Sequence, residues 1–174
     1  MRFDASANSV PADDATRPEQ LRLRPFTEAD DAEVTSWFSD AGALRFFAGR
    51  RLSWPLDEEQ WAAIRDDPKI TAWTAVLGDD PTPVAHGEMI EESSAVILFA
   101  LLAIAPALRG RHLGREIMKR LVEKARERGY SFAHVFVHPD NATAIRAFRT
   151  FGFEPVSEPE AGVGLRLEFA LGND

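Results

Sequence analysis

The chain has no cysteine and only one tyrosine, Tyr130, in 174 residues. The missing thiols exclude disulfides, cysteine-held metal and cysteine nucleophiles together. No apolar run approaches the ~20 residues of a membrane-spanning helix; the segment Val96–Ala107 is about half that length. The opening stretch, MRFDASANSVPADDATRPEQ, carries three aspartates and lacks the apolar core of a secretory signal. These absences point to a cytoplasmic protein with no membrane association. Residues 1–18 lack periodicity and read as a flexible leader before a single domain over 19–174.

Positive charge is scarce overall, for the net charge is −8. It is also concentrated. Between Arg109 and Arg128 eight cations face three acids, so this segment carries +5 and the remainder −13. An acidic chain does not offer the extended basic face that nucleic acid requires. A local cationic island suits a small polyanion instead. The island follows the apolar run Ala95–Ile104 and a glycine-containing turn, Arg109-Gly110-Arg111-His112-Leu113-Gly114, and continues as an amphipathic helix. A buried strand feeding a helix through such a turn aims the helix dipole and unpaired backbone N–H groups at an anion. Arg109, Arg111 and Arg115 add charge there. Lys124, Arg126 and Arg128 read as the solvated face of the helix.

Periodicity organises the rest. Gln20–Phe26 alternates as a half-buried strand, and Thr27 with Asp30 forms a weak capping box for a helix to about Phe38. The aromatic segment from Leu44 onward reads as irregular until Asp57 starts a short helix through Trp61 and Ile64, closed by Pro68. Ile70–Leu77, Val84–Glu92 and Ala95–Ile104 form an antiparallel meander broken by Gly78–Pro83 and Ser93–Ser94. The last of these is apolar on both faces and belongs in mid-sheet, covered by helices on both sides. The helix Leu113–Arg128 follows, capped by Gly129; then come strand Phe132–Val137, a helix from Ala142 to Phe151 between Asn141 and Gly152, and a closing strand Val163–Leu171. The result is an α/β domain: a mixed, mostly antiparallel sheet of about seven strands with about four helices. The terminal strand offers an edge at which a second copy of the chain can pair as a homodimer.

This order, with the motif LAIAPALRGRHLG, resembles the GCN5-related N-acetyltransferase (GNAT) superfamily over roughly Leu21 to Leu171. The family's pyrophosphate loop, Gln/Arg-x-x-Gly-x-Gly/Ala, is matched at Arg109 and Gly114, with His112 where glycine is usual. A second family motif, Asn-x-x-Ala-x-x-x-Tyr-x-x-x-Gly-Phe, is matched by Asn141, Ala144, Gly152 and Phe153, with Phe148 at the tyrosine position. The resemblance implies splayed strands at a cofactor cleft and acetyl-CoA as co-substrate, with no metal. The pantetheine arm would lie between Ala95–Ile104 and Phe132–Val137, pairing with backbone at Leu102, Ala103 and Ile104. The diphosphate would be wrapped by Arg109, Gly110, Arg111, His112, Leu113, Gly114 and Arg115, and Asn141 and Phe148 would contact the cofactor. A non-glycine residue at a left-handed angle costs ~1–2 kcal/mol, so His112 implies either an undemanding local geometry or a contact that offsets the strain.

The family reaction is attack by a primary amine on an acetyl thioester, needing a base, an oxyanion donor and a proton for the thiolate. The tyrosine that usually protonates the thiol is absent. The strand before the loop lacks the glutamate that often serves as base, leaving Glu88, Glu91 and Glu92 on the preceding strand; Glu88, nearest mid-strand, is the first candidate. One expectation is therefore an N-acetyltransferase acting on an amine of a small molecule or peptide. The second is an acyl-CoA-binding module with little transfer, serving as a sensor or interaction domain. A nucleotide-binding protein of another class is disfavoured, because the turn is not G-x-G-x-x-G and a meander precedes it.

Overall fold

A computed structural model describes residues 20–158 and 164–172; the leader lies outside the described residues. Seven strands form one sheet in the order β1-β2-β3-β4-β5-β7-β6. They are β1 (Leu21–Pro25), β2 (Ile70–Leu77), β3 (Ala85–Glu91), β4 (Val96–Ile104), β5 (Phe132–Val137), β6 (Glu154–Pro155) and β7 (Leu165–Ala170). Every pairing is antiparallel except β4 with β5. The five α-helices among the described residues are α1 (Asp31–Ser36), α2 (Ala41–Ala48), α3 (Glu58–Asp66), α4 (Leu113–Glu127) and α5 (Ala142–Phe151).

The apolar stripe of α4 sets the first core. Ile117, Leu121 and Val122 pack on Ile97, Phe99, Val135 and Leu167, with Ile145 and Phe148 of α5 against the same cluster. On the opposite face, α1 to α3 place Val34, Leu44 and Trp61 on Phe26, Leu101 and Ala103. We call these the back and front faces. The front helices cluster with residues of β4 and the strands before it, and they leave Phe132 and Phe136 of β5 partly exposed.

Sequence and structure differ at two elements. Helix α2 occupies the segment read as irregular. Asp40 caps it by accepting from the Ala43 N–H at 2.9 Å, and Leu44 and Ala48 bury its inner side. The run of Arg and Phe, with Gly42 in the first turn, hides that short amphipathic pattern. The terminal strand is also not the free edge expected of it, because β6 pairs with it at Leu167 and Glu168.

The feature that positions everything else is a bulge in β4. Glu88 pairs with Ala100 and His86 with Ala103, so Gly87 alone opposes Leu101 and Leu102. Leu101 takes a φ of +45°, rare for a bulky side chain. The extra residue inverts the alternation. Ile97 and Phe99 enter the back core, whereas Leu101 and Ala103 enter the front core. A Cβ at Gly87 would lie 2.9 Å from Leu102 Cδ2, so the Leu102 side chain packs directly over the glycine.

A buried ion pair ties the front helices to the sheet. Asp30, 2% exposed, receives both Arg24 guanidinium nitrogens at 2.7 and 2.8 Å, the Thr27 N–H at 3.0 Å and the Thr74 hydroxyl at 2.9 Å. Burial pushes the carboxyl up, but the Arg24, Thr27 and Thr74 donors outweigh it and hold Asp30 down at about 2. A folded-state value below the unfolded one stabilises the protein above the unfolded value, and the gain is lost as pH falls towards the folded value. Asp30→Asn should therefore cost on the order of 2 kcal/mol at neutral pH and flatten the acid dependence between about pH 4 and 2, read by denaturant melts. A second expectation concerns the start of α4, where His112 is the N-cap residue with φ 61° and ψ 8° and makes no side-chain cap bond. His112→Gly should relieve this left-handed strain and stabilise by roughly 0.5–1 kcal/mol, whereas Gly110→Ala, at φ +78°, should destabilise in the same melts.

Candidate functional site

The parallel ladder between β4 and β5 covers only Val96–Leu98 against Phe132–His134. Both strands continue, β4 to Ile104 and β5 to Val137, so they splay where the bulge redirects β4. The resulting V exposes strand backbone that has no ladder partner across the gap. Leu102 and Ile104 are half-buried on the back side of this gap, and Ala103 is buried in the front core. Only the backbone of Ala103 is therefore available to a ligand.

The gap opens onto the loop before α4. A turn of 3-10 helix, Pro106–Leu108, carries the chain off β4, and Arg109, Gly110, Arg111 and His112 are exposed. Leu113 is 1% exposed, its side chain locked in the back core, so it contributes only its backbone N–H. Gly110 and His112 both take left-handed angles. Alternation of this kind turns successive N–H groups to one side as an anion nest at the helix start. Gly114 is less demanding: a Cβ there would make ordinary contact, 3.5 Å from Ile104 Cδ1. Arg109 folds back, donating from Nε to the Ile104 carbonyl at 3.1 Å while its guanidinium lies 5.6 Å over the Phe47 ring. Arg115 is exposed on the first turn of α4.

Helix α2 contributes residues that the sequence reading did not assign. Phe47 supports Arg109, and Phe46 lies 5.6 Å from the His138 ring just beyond β5. This helix therefore touches the loop side and the β5 side of the gap together. Asn141 accepts from the Ala144 N–H at 3.1 Å through Oδ1, which is a helix-cap bond. Phe148 lies on α5 with its ring edge-on to Phe153 at 5.5 Å.

Glu88 is the most unusual group in the region. It is fully buried beside the bulge, on the front face with His86. One carboxylate oxygen meets Arg51 Nη2 at 2.6 Å, and the other lies 3.5 Å from His86 Nε2. His86 is itself buried, edge-on to Phe26 and Trp61, and its Nδ1 has no partner. Burial pushes Glu88 up, but hydrogen bonding from His86 and the Arg51 charge prevail and hold it below the usual carboxylate range. The other two candidates are engaged elsewhere. Glu91 accepts from the Tyr130 hydroxyl at 3.1 Å, and Glu92 contacts His134 Nδ1 at 2.5 Å. Arg51 escaped the sequence reading because it sits in a loop with no periodicity and is brought to Glu88 only by tertiary folding. A polar groove of about 900 Å³ between β1 and α4, lined by Arg22, Asp79 and Arg120, includes none of these residues.

Comparison with known proteins places this geometry. The model of the acetyltransferase (GNAT) family matches residues 25–153. Mycothiol acetyltransferase of Rhodococcus opacus (strain B4) is 30% identical over 145 residues, covering 80% of this chain and 38% of the relative. The chain thus spans about two-fifths of the length of that relative. Spermidine N-acetyltransferase from Vibrio cholerae, solved with CoA and spermine, superposes with a TM-score of 0.74 at 16% identity, over 88% of this chain and 96% of that one. A GCN5-related N-acetyltransferase from Kribbella flavida gives 0.71 at 22% identity, over 88% and 99%. At such identities the structural likeness shows the fold, and the family match adds the lineage. From bulge to splay to basic loop, this chain belongs to the GNAT acetyltransferase family.

Proposed function

We propose that the chain is an acetyl-CoA-dependent N-acetyltransferase, with a primary amine of a small molecule or peptide as acceptor. The observation that carries this reading is the juxtaposition of three features. A strand gap ends in an exposed basic loop at a helix N-terminus, and a buried carboxylate lies beside the bulge that opens the gap.

The residues present fit the cofactor. Backbone of Leu102–Ile104 offers amide partners to a pantetheine arm. The N–H groups of Gly110–Leu113, with Arg109, Arg111 and Arg115, offer donors and charge to a diphosphate. On this reading Asn141 and Phe148 contact the cofactor from the α5 side, beyond the cap bond and the core packing they make without it. When bound, acetyl-CoA supplies an acyl group activated as a thioester. Glu88 serves as the base that takes a proton from the acceptor ammonium, directly or through one water. A backbone N–H in Leu102–Ile104 serves as the oxyanion donor, which requires no side chain.

Phe148 has no proton to give, so the departing thiolate is protonated by water. This is affordable: with a thiol pKa of ~8.5, the thiolate lies only about 2 kcal/mol above the thiol at pH 7. The second reading, an acyl-CoA-binding module with little transfer, is favoured by one observation, that Arg51 closes off Glu88.

Thiol release from acetyl-CoA across an amine panel separates the two. The enzyme reading expects turnover with at least one cationic amine; the module reading expects CoA to raise the melting temperature with no release for any amine. ATP and NAD should leave the melting temperature unchanged. With an accepted amine, Glu88→Gln should lower kcat/KM by ~10²-fold or more, and an unchanged rate across pH would remove Glu88 from the mechanism. Phe148→Tyr should leave kcat within about threefold, since the site is adapted to phenylalanine.

A further inference from the structure

Glu88 is sealed in an unusual way. Its side chain is 0% exposed, and its strong partner, Arg51, is 33% exposed. Arg51 comes from the irregular segment between α2 and α3, where its N–H donates to the Ala48 carbonyl at 3.2 Å. Its side chain is thus the part of the pair that reaches solvent. Among the described residues, the only other ionisable group that acts on Glu88 is His86, at the weak end of hydrogen-bond range on the far oxygen. The backbone neighbours across the sheet are Ala72 on β2 and Ala100 on β4, which bring no charge.

A buried carboxylate stripped of its counter-ion is strongly destabilising. Anything that takes Arg51 away from Glu88 must therefore bring positive charge and N–H donors of its own. A primary ammonium does so; a neutral hydroxyl or an anionic head does not. A guanidinium is in effect never deprotonated and holds Glu88 in an inert pair. An alkylammonium in the same place can pass one N–H proton to a Glu88 oxygen, which leaves a neutral carboxyl and a free electron pair on nitrogen.

We propose that Arg51 is a resident counter-ion for Glu88, displaced by the acceptor's ammonium, and that this exchange selects cationic primary amines as the acceptor class. Arg51 is here a specificity-determining residue, and the inference rests on the reading of Glu88 as the base. Once the ammonium has passed its proton to Glu88 and become neutral, burial of the carboxyl is opposed by His86 alone, which keeps the proton on Glu88.

The test begins with a readout independent of turnover. Carbon-13 NMR of the Glu88 carboxyl is followed through a pH titration in the full chain, with folding checked by circular dichroism. Arg51→Gln should raise the Glu88 midpoint by at least about one unit, and Arg51→Lys should not. Added 1,5-diaminopentane should lower the midpoint again in Arg51→Gln, while 1,5-pentanediol should leave it where it is. In thiol-release assays with an accepted amine, Arg51→Gln should lower KM several-fold with kcat changed much less. An unmoved midpoint in Arg51→Gln, rescue by the diol as well as the diamine, or a collapse of kcat at constant KM would overturn the exchange. Failure of the base reading looks different: Glu88→Gln keeps its full rate, whatever the titration of Glu88 shows.

Discussion

One extra residue in a central strand governs this molecule. A continuous β4 would stay hydrogen-bonded to β5 along its length and keep one alternation of its side chains from Val96 to Ile104. The bulge at Leu101 and Leu102 breaks both regularities at once. It swaps the face of every side chain beyond it, so that Leu101 and Ala103 meet the front helices while Leu102 and Ile104 meet the back ones. It also ends the parallel ladder at Leu98 and His134. A Leu in the left-handed region is held there because two cores claim the residues on either side of it. Strain is thus tolerated at the point where the sheet opens, and Gly87 across the ladder gives the displaced Leu102 its room.

The opening places two kinds of electrostatics side by side. At the loop end, charge is exposed and supplied in excess: arginines, left-handed backbone and a helix N-terminus converge with no acidic side chain inside the Arg109–Arg115 run. Such a surface favours an anionic visitor. On the front face, charge is buried and balanced. Asp30 with Arg24 and Glu88 with Arg51 are each closed pairs, yet they differ in what they hold. Asp30 has five donors from three residues and is a fixed anchor for α1. Glu88 has one strong donor, and it comes from a loop. Helix α2 joins the two regions, since Phe47 lies under Arg109 and Phe46 against His138.

Much of this was legible in the sequence where local signals are strong. The helix from Ala142 to Phe151 between Asn141 and Gly152 is written in its own caps, and the capping box of Thr27 and Asp30 forms as its spacing implies. The apolar run of Ala95–Ile104 does lie in mid-sheet between two helical layers. The basic turn before α4 was legible for a similar reason, because its arginines and glycines are contiguous. Helix α2 was not, since eight residues with a glycine and two adjacent phenylalanines make a weak stripe. The bulge was invisible too: a run apolar on both sides hides a change of phase. Arg51 lies 37 residues before Glu88, and no periodicity connects a loop arginine to a strand glutamate.

The account stands or falls on the β4–β5 gap as the place where the cofactor's arm pairs with backbone. Amide hydrogen exchange measures this directly. In the free protein, amides of Phe99–Ile104 that face β5 should exchange faster than those of Val96–Leu98, whose ladder is complete. Saturating CoA should slow exchange in Phe99–Ile104 and in the Gly110–Leu113 loop, leaving Val96–Leu98 unchanged. Exchange in Phe99–Ile104 that is already slow without CoA, or that CoA leaves untouched while it binds, would contradict the account.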